Sequence, residues 1–298
     1  MQKLPLGISD FKELQQNNYY FIDKSLFIKE IIDEDAQVIL FPRPRRFGKT
    51  LNISMLRYYF SEAEADWSIF KDLKIETQPE QYLQEFAAYP LIYITFKGVK
   101  ELKWKNCLKN IEDIVAAEYQ KHDYLLEKNV LSEAEKKIYQ QILNLEADQV
   151  HYQKSLQRLT EYLQRYHGEK VIVLIDEYDQ PIQTGYLNDY YKEVVNFMRL
   201  FLENGLKDNS SLEKSVLTGV LRIAKESIFS GLNNLVVNDI FSKKYNSYFG
   251  LLPEEVEKIF TDYDLEYRLD QIKGWYNGYN FGGRTIYNPW SIINLNYS

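Results

Sequence analysis

The run from Arg43 to Thr50 (RPRRFGKT) carries residue types that can bind the phosphates of a nucleotide. It meets the Walker A pattern Gly-x-x-x-x-Gly-Lys-Ser/Thr at every defined position except the first, where arginine replaces glycine. Backbone N–H groups at the start of a helix point at bound anions, and here they are expected from Phe47, Gly48, Lys49 and Thr50. We expect Lys49 to reach the β- and γ-phosphates and Thr50 to offer its hydroxyl to Mg²⁺.

The missing glycine does not exclude a phosphate loop. Pro44 favours an extended conformation at Arg43, which then needs no positive φ. The alternative is a chance Gly-Lys-Thr in a turn, since short motifs do arise by chance. The flanking sequence favours the loop, because residues 38–41 predict a buried strand before it and residues 50–60 predict a helix after it.

A second group of reactive side chains follows the apolar run 171–175, where Asp176 and Glu177 end a predicted central strand. Ligands of open α/β folds bind at the carboxyl ends of the strands. We expect Asp176, in the Walker B position, to hold Mg²⁺ directly or through water. Glu177 is expected to act as the general base for the water that attacks the γ-phosphate. The alternative is an exposed acidic turn; Asp179 either contacts the site or caps the next helix.

Three arginines and a threonine are further candidates. Arg45 and Arg46 lie in the loop and could hold phosphate oxygens, reach a neighbouring subunit, or pair with acidic residues at the surface. Thr218 lies at the polar end of a strand predicted at 215–220, which is expected beside the acidic strand, where a polar group can sense the γ-phosphate. Arg222 follows and could stabilise charge in the transition state; a structural ion pair is the alternative.

The elements that must position these residues alternate between strands and helices. Besides the runs above, residues 91–96 predict a strand, residues 192–203 predict a helix, and residues 102–166 are charged and helix-periodic. This alternation predicts a doubly wound α/β fold with a mainly parallel sheet. We divide the chain into a core at 1–238, with an N-terminal strap and a helical insertion at about 101–168, and a small lid-like subdomain at 239–298.

Composition restricts the function classes further. A formal net charge of −7 argues against a broad non-specific nucleic-acid surface, although a local basic patch remains possible. No apolar run approaches the roughly 18 residues that cross a bilayer, and the first residues lack the apolar core of a signal peptide, so a cytoplasmic location is expected. One cysteine, Cys107, and three scattered histidines disfavour a zinc site.

Several blocks of the sequence together resemble the bacterial AAA-ATPase-like domain family, whose P-loop NTPase domain is often joined to a C-terminal PD-(D/E)XK nuclease-like domain. The resemblance implies an ATPase core of the additional-strand class with a small lid, and an arginine-rich loop as that family's version of the motif. The matching blocks are LPLGI with DF (4–11), YFIDK (20–24), RPRRFGKTL (43–51), LIDEYDQP (174–181), TGVLRIAKESIFSGLNN (218–234) and WYNGYNFGGRTIYNPW (275–290).

The sequence ends at Ser298, where members of this family usually continue into the nuclease-like domain, and no later Asp…Glu-x-Lys pattern is present. We therefore expect no nuclease activity in this chain. A second copy of the chain or a nuclease-like partner domain is a possible partner. The aromatic segment 275–290 is expected to pack as the core of the lid.

Three hypotheses follow. ATP is the expected nucleotide because no guanine-reading Asn-Lys-x-Asp motif is present and because the family resemblance implies it. Mg²⁺ is expected with it, held by Thr50 and Asp176. The first is ATP hydrolysis that drives a conformational or assembly switch. The second is a nucleotide-binding scaffold that does not hydrolyse ATP. The third is a nucleic-acid module that uses the aromatic C-terminal region, which the acidic net charge disfavours. Lys49, Thr50, Asp176 and Glu177 favour the first over the second.

Overall fold

Parallel strands form the central sheet of the computed structural model, which describes residues 2–221, 228–229, 231–265 and 278–295. The strands of this sheet are β1 Val38–Pro42, β2 Leu91–Thr95, β3 Val171–Asp176, β4 Leu212–Gly219 and β5 Leu235–Val237. Their order is β2-β3-β4-β1-β5. One strand, β4, thus separates the strand before the phosphate loop from the strand that ends in Asp176. This order confirms the predicted α/β fold of the additional-strand class.

Both faces of the sheet are covered. Along β3, Val171, Val173 and Ile175 belong to one hydrophobic core, while Ile172 and Leu174 belong to the other. Successive side chains of a strand point to opposite faces, so a strand buried on both sides reads as an unbroken apolar run. The doubly wound arrangement predicted from the alternation of strands and helices is confirmed.

The strand predicted at 215–220 begins three residues earlier than expected, at Leu212, and ends at Gly219. Two of its first three residues, Glu213 and Lys214, are charged, so the apolar run in the sequence starts later than the strand. The register shifts there, so that Leu212 faces Val171 while Lys214 faces Ile172. The Lys214 ammonium donates to the carbonyl oxygens of Ile31 (2.8 Å) and Glu34 (2.6 Å), which explains how a lysine fits inside a central strand.

Helices cover the sheet and continue beyond it, with short 3₁₀ turns at Glu62–Glu64, Trp67–Phe70 and Lys74–Thr77. The helix predicted at 50–60 starts at Lys49, and the one predicted at 192–203 is longer at both ends. The α-helices are α1 Phe11–Gln16, α2 Leu26–Ile32, α3 Lys49–Phe60, α4 Glu80–Leu83, α5 Trp104–Lys121, α6 Tyr124–Glu127, α7 Glu133–Leu143, α8 Gln149–Gln153, α9 Ser155–His167, α10 Gln180–Leu187, α11 Tyr191–Leu206, α12 Pro253–Asp262 and α13 Pro289–Leu295.

The helices α5 to α9 occupy the stretch between β2 and β3. A capping box between Ser132 and Glu135 begins α7, and Gly168, with φ +79°, ends α9. Cys107 is buried on α5, and burial raises the pKa of its thiol to about 11, as suits a small hydrophobe rather than a nucleophile. Within the described ranges, no helix is both long and apolar enough to cross a membrane.

The first and last segments of the described chain pack together beside the phosphate loop. A two-stranded antiparallel sheet, β6 Tyr279–Phe281 and β7 Arg284–Ile286, belongs to the C-terminal segment. The Lys24 ammonium donates to both carboxylate oxygens of Glu255, and the Tyr20 hydroxyl donates to Asp262 at 2.6 Å. The predicted division into a core and a lid-like subdomain stays a prediction.

Candidate functional site

The predicted phosphate loop lies between the end of β1 and the start of α3. Gly48 is the N-cap of α3 and has φ +79°. A Cβ at Gly48 would meet no atom within 4 Å, so the requirement for glycine comes from the backbone angle and not from space. Arg46 also takes a left-handed conformation, with φ +69°. Two left-handed residues close together curl the chain tightly around the helix N-terminus, as anion-binding loops require.

Lys49 folds back into this loop. Its ammonium group donates to the carbonyl oxygens of Arg43 and Pro44, each at 3.0 Å, and only 5 % of the residue is exposed. Burial lowers the pKa of Lys49, while the carboxylates of Glu177 and Asp176 act in the opposite direction. The lysine is therefore a buried cation whose partners within the loop are neutral carbonyl groups. An anion in the same place is a stronger partner for an ammonium group.

Asp176 joins three elements of the fold. Its carboxylate is fully buried at the end of β3 and accepts hydrogen bonds on both oxygens. The Thr50 hydroxyl, from the first turn of α3, donates to Oδ2 at 2.8 Å, and the Thr218 hydroxyl, from β4, donates to Oδ1. The structure thus brings together three residues that the sequence assigned to one site from separate motifs.

Glu177 follows in the left-handed conformation, with φ +52°, and its side chain is half-buried. Burial raises the pKa of this carboxyl, and the neighbouring charge of Asp176 raises it further; Lys49 and Lys97 act against both. A carboxylate with a raised pKa at the edge of a cleft suits general-base chemistry near neutral pH. Its position beside Lys49 and Asp176 agrees with the site expected from the sequence.

Asp179 plays a part that the sequence analysis did not foresee. It stands at the N-cap of α10, but its side chain makes no cap hydrogen bond there. Its Oδ2 atom instead accepts from the backbone N–H groups of Val220 (3.0 Å) and Leu221 (2.7 Å), and from the side-chain amide of Gln183 (2.6 Å). Of the two alternatives for Asp179, a contact with the site or a helix cap, the side-chain cap is therefore not formed. Asp179 fastens the chain that leaves β4, just beyond Thr218.

The two loop arginines do not pair with acidic residues in the described part of the chain. Arg45 donates to the side-chain oxygen of Gln183 at 3.3 Å. The Arg46 guanidinium lies over the ring of Trp290, with 3.8 Å between its central carbon and the ring centre. Trp290 is 43 % exposed, so the prediction that segment 275–290 forms a packed aromatic core is wrong at this residue. Residues 275–277 of that segment lie outside the described residues.

Phe47 contributes its backbone to the loop and its side chain to the C-terminal segment. The ring is fully buried and packs against Tyr279 and Phe281 of β6, with ring centres 5.0 and 5.2 Å apart. Nearby, the side-chain amide of Asn288 donates to the carbonyl oxygen of Arg45 at 3.4 Å. Consecutive residues of the phosphate loop therefore contact the C-terminal segment directly.

Arg43, at the position where the general pattern has glycine, is fully buried. Its Nη1 atom donates to the carbonyl oxygens of Asn238 (2.5 Å) and Pro42 (3.1 Å). The guanidinium also lies 5.0 Å from the ring centre of Phe249 and 5.5 Å from that of Phe281, and burial lowers its pKa to about 10. Sequence reasoning missed this role, because the partners are about 200 residues away in the chain.

Arg222, the remaining predicted site residue, lies outside the described residues. Two lysines that the sequence analysis did not single out, Lys97 and Lys100, lie in the loop after β2 and line the same cavity as Lys49 and Glu177. The only sequence signal for them was their position just beyond a predicted strand end. Because β2 is parallel to β3 and next to it, residues that follow β2 lie at the same edge of the sheet as Asp176.

The cavity at the loop has a volume of about 600 Å³, within the usual range of small-molecule sites. Polar groups of its lining come from the phosphate loop, Glu177 and the two lysines. Apolar side chains of its lining come from the N-terminal and C-terminal segments and include Leu4, Pro5, Leu6, Phe21, Leu251 and Ile259.

The oxygen atoms at the loop suit a magnesium ion. Mg²⁺ prefers oxygen ligands and is usually bound through one or two protein groups together with substrate phosphates and water. The Thr50 hydroxyl and the Asp176 carboxylate supply such oxygens side by side. Among the described residues no group of three or more His, Cys, Asp or Glu side chains could hold a metal without such help.

Comparison with known proteins identified a relative and a matching family model. The chain is 29 % identical, over 301 aligned residues, to an uncharacterized protein in the vnfD 5′ region of Azotobacter chroococcum mcd 1. The alignment covers 99 % of this chain and 52 % of that protein, so the chain spans about half the length of the curated relative it matches. Residues 5–229 match the model of the AAA-ATPase-like family, described as a predicted AAA-ATPase, which implies ATP binding. The match takes in the phosphate loop, β3 and β4, and the chain therefore belongs to the AAA-ATPase-like family.

Proposed function

We propose that this protein binds ATP together with Mg²⁺, hydrolyses it, and passes its nucleotide state to the C-terminal segment. The observation that carries the proposal is the pair of hydrogen bonds that Asp176 accepts from Thr50 and Thr218, beside Lys49 and Glu177. A hydroxyl, a carboxylate, an ammonium group and a second carboxylate at one edge of a parallel sheet are the groups that phosphoryl transfer uses.

Binding of the phosphates would rest on the loop backbone and on Lys49. The N–H groups of residues 47–50 lie at the start of α3, where the helix dipole favours anions. Lys49 would exchange its two carbonyl partners for the β- and γ-phosphate oxygens. Thr50 and Asp176 would hold Mg²⁺, which when bound neutralises charge on those oxygens.

Hydrolysis would begin with a water molecule beside Glu177. The Glu177 carboxylate takes a proton from this water while the water oxygen forms a bond to the γ-phosphorus. The bond between that phosphorus and the β–γ bridging oxygen breaks, and ADP and inorganic phosphate result. The raised pKa of Glu177 supports the assignment, since a carboxylate with a higher pKa is a stronger base. Thr218 would keep Asp176 oriented from the β4 side.

The lining of the cavity supports a nucleotide rather than a simple phosphate compound as ligand. Besides the loop residues it includes apolar side chains of the N-terminal and C-terminal segments. A flat, weakly polar base fits such a surface, where burial of apolar area favours binding. Adenine is proposed as the base because the family is one of predicted ATPases.

Contacts between the loop and the C-terminal segment support the switch. Arg43 packs against Phe249 and Phe281, Arg46 stacks on Trp290, and the Phe47 ring lies against β6. A change in the loop conformation on phosphate binding would therefore act directly on this segment. The receiver of the change is proposed to be a second copy of the chain or an adjoining nuclease-like domain.

The test is steady-state phosphate release from Mg-ATP by the wild-type chain, Glu177→Gln and Lys49→Ala. We expect turnover in the wild type, ATP binding without turnover in Glu177→Gln, and loss of tight binding in Lys49→Ala. Omission of Mg²⁺ serves as the control and should abolish turnover. ATP binding with no phosphate release from the wild type would favour the scaffold hypothesis. Unchanged affinity in Lys49→Ala would remove the phosphate-loop assignment.

A further inference from the structure

Arg45 of the phosphate loop is attached to the start of α10 through Gln183. The Arg45 Nη2 atom donates to the side-chain oxygen of Gln183 at 3.3 Å. The side-chain nitrogen of Gln183 in turn donates to Oδ2 of Asp179 at 2.6 Å. This chain of hydrogen bonds runs from an exposed arginine that lines the cavity to a carboxylate in a residue that is only 1 % exposed.

The two neighbours of the Gln183 amide fix the direction of its hydrogen bonds. A carboxylate only accepts hydrogen bonds and a guanidinium only donates them, so the amide NH₂ group faces Asp179 and the amide oxygen faces Arg45. Glutamine can serve both neighbours at once, whereas glutamate cannot donate to Asp179 and lysine cannot accept from Arg45. A bond from Gln183 to Asp179, four residues earlier, would by itself only support the helix, but the bond to Arg45 connects the same side chain to the phosphate loop.

Asp179 gives Gln183 a fixed base. Its Oδ2 atom also accepts from the backbone N–H groups of Val220 at 3.0 Å and Leu221 at 2.7 Å, just beyond β4. The carboxylate is therefore held from α10 and from the chain that leaves β4. The neutral amide lies between this carboxylate and Arg45, which has no acidic partner among the described residues. The charge of the arginine thus stays available to an anion in the cavity.

We infer that Gln183 is a positioning residue, which keeps the Arg45 guanidinium at the cavity with its charge unneutralised so that Arg45 binds the phosphates of the nucleotide. This inference rests on the proposed function, in which the phosphates of ATP occupy the loop. A guanidinium carries several N–H donors, and the bond to Gln183 uses only one of them. Of the possibilities that the sequence leaves open for Arg45, contact with phosphate is the one that a neutral partner favours.

The first experiment measures binding of the magnesium complex of the β,γ-imido analogue of ATP by calorimetry, so that hydrolysis plays no part. We expect Arg45→Met to raise Kd about tenfold, because a hydrogen bond to a charged group is lost. Gln183→Met should raise Kd about threefold, but it should have no further effect once Arg45→Met is present. Independent effects that multiply in the double variant would overturn the inference.

Arg46 offers the matched control for this experiment. It is the next residue of the loop, is exposed, and has its described contact with Trp290. The effects of Arg46→Met and Gln183→Met should multiply, since residues that share no contact act independently. Equal non-additivity in the Arg45 and Arg46 pairs would mean that Gln183→Met loosens the whole loop, and it would overturn the inference.

Gln183→Glu tests whether the neutrality of the amide matters. Glutamate has nearly the same shape and still accepts from Arg45, but its charge pairs with the guanidinium and lies beside Asp179. We expect Kd for the analogue to rise by at least as much as in Gln183→Met. If neutrality were irrelevant, the stronger bond from Arg45 to a carboxylate would leave Kd at or below the wild-type value, and that result would also overturn the inference.

The last experiment uses no nucleotide and so separates this inference from the proposed function. The side-chain Nε–H resonance of Arg45 is identified by its absence in Arg45→Met, and its ¹⁵N relaxation reports how mobile the side chain is. We expect Gln183→Met to lower the order parameter of this group and to leave that of Arg46 unchanged. An unchanged order parameter at Arg45 would overturn the inference even if the analogue binds. Failure of the wild type to bind the analogue would count against the proposed function, while relaxation still decides whether Gln183 holds Arg45.

Discussion

The Arg46 guanidinium lies over the ring of Trp290, with 3.8 Å from its central carbon to the ring centre. Arg46 belongs to the phosphate loop, and Trp290 lies in the first turn of α13, near the end of the described chain. A cation over the face of an indole is attracted by the negative charge of the ring face. The contact therefore joins the residue expected to respond to phosphate with a residue whose fluorescence can be observed.

Nucleotide binding should change the fluorescence of Trp290. A phosphate near Arg46 competes for the guanidinium and alters its position over the indole, which alters the quenching and the polarity around the ring. We expect addition of Mg-ATP to change the emission of the wild-type chain, and Trp290→Phe to remove most of that change. Stopped-flow fluorescence would give its rate.

Trp67→Phe is the control for this experiment, since Trp67 packs against Phe70 and Phe86 away from the loop and should leave the signal intact. A nucleotide response of equal size in Trp290→Phe would show that the Arg46–Trp290 contact does not report on the phosphate site.

The fold and part of the site follow from short stretches of sequence. The apolar run 171–175 is typical of a strand covered on both faces, and Lys49 and Thr50 stand in a contiguous motif whose geometry is largely local. The roles of Arg43 and Asp179 could not be predicted in this way. Their partners, Asn238 and Val220 among them, are remote in the chain and meet them only after the sheet has formed.

Arg43→Gly restores the glycine of the general phosphate-loop pattern, yet it should weaken the protein. The substitution removes a fully buried side chain, its hydrogen bond to Asn238 and its contacts with Phe249 and Phe281. Loss of a large buried side chain costs about 2–5 kcal/mol, and we expect urea unfolding to show a decrease of this size in the free energy of unfolding.

The matched variant is Arg45→Gly, in the same loop. The Arg45 side chain is exposed and donates to Gln183, so a loss below about 1 kcal/mol is expected. ATP affinity should not increase in Arg43→Gly. If that variant were as stable as the wild type, the buried arginine would not be what fastens the C-terminal segment to the loop.

Gly219→Ala should disturb the end of β4. A Cβ atom at this position would lie 2.6 Å from Oδ1 of Asp179 and 2.7 Å from a ring carbon of Tyr178, closer than side chains can approach. The carboxylate would have to move and release the N–H groups of Val220 and Leu221. Overpacking of this kind costs roughly 1–3 kcal/mol, measurable as a lower Tm.

Gly98→Ala is the comparison for Gly219→Ala, because a Cβ at Gly98 meets nothing within 4 Å and its φ is not positive. Its free energy of unfolding should stay within about 0.5 kcal/mol of the wild type. Equal losses in the two variants would indicate a general effect of replacing loop glycines. A loss confined to Gly219→Ala, together with lower turnover, would assign Asp179 to the support of the Thr218 strand end.

Glu177→Gln should stabilise the nucleotide-free protein at neutral and alkaline pH while it removes turnover. Burial and Asp176 raise the pKa of Glu177, so the ionised form costs the folded state stability. This cost is present above the folded-state pKa and disappears as the pH falls through it. Glutamine is neutral throughout, so its Tm should exceed that of the wild type by a few degrees at pH 8, and the difference should shrink towards the ordinary glutamate pKa of about 4.3.

Calorimetry from pH 4 to pH 8 would measure this difference, with Glu133→Gln as the control. The Glu133 side chain is 91 % exposed, so its replacement should change Tm little at any pH. A lower Tm for Glu177→Gln at pH 8 would mean that the folded protein favours the ionised form of Glu177, contrary to the raised pKa. A higher Tm combined with lost turnover is the result expected of a general base, because a catalytic carboxylate is kept for its reaction and not for the stability of the fold.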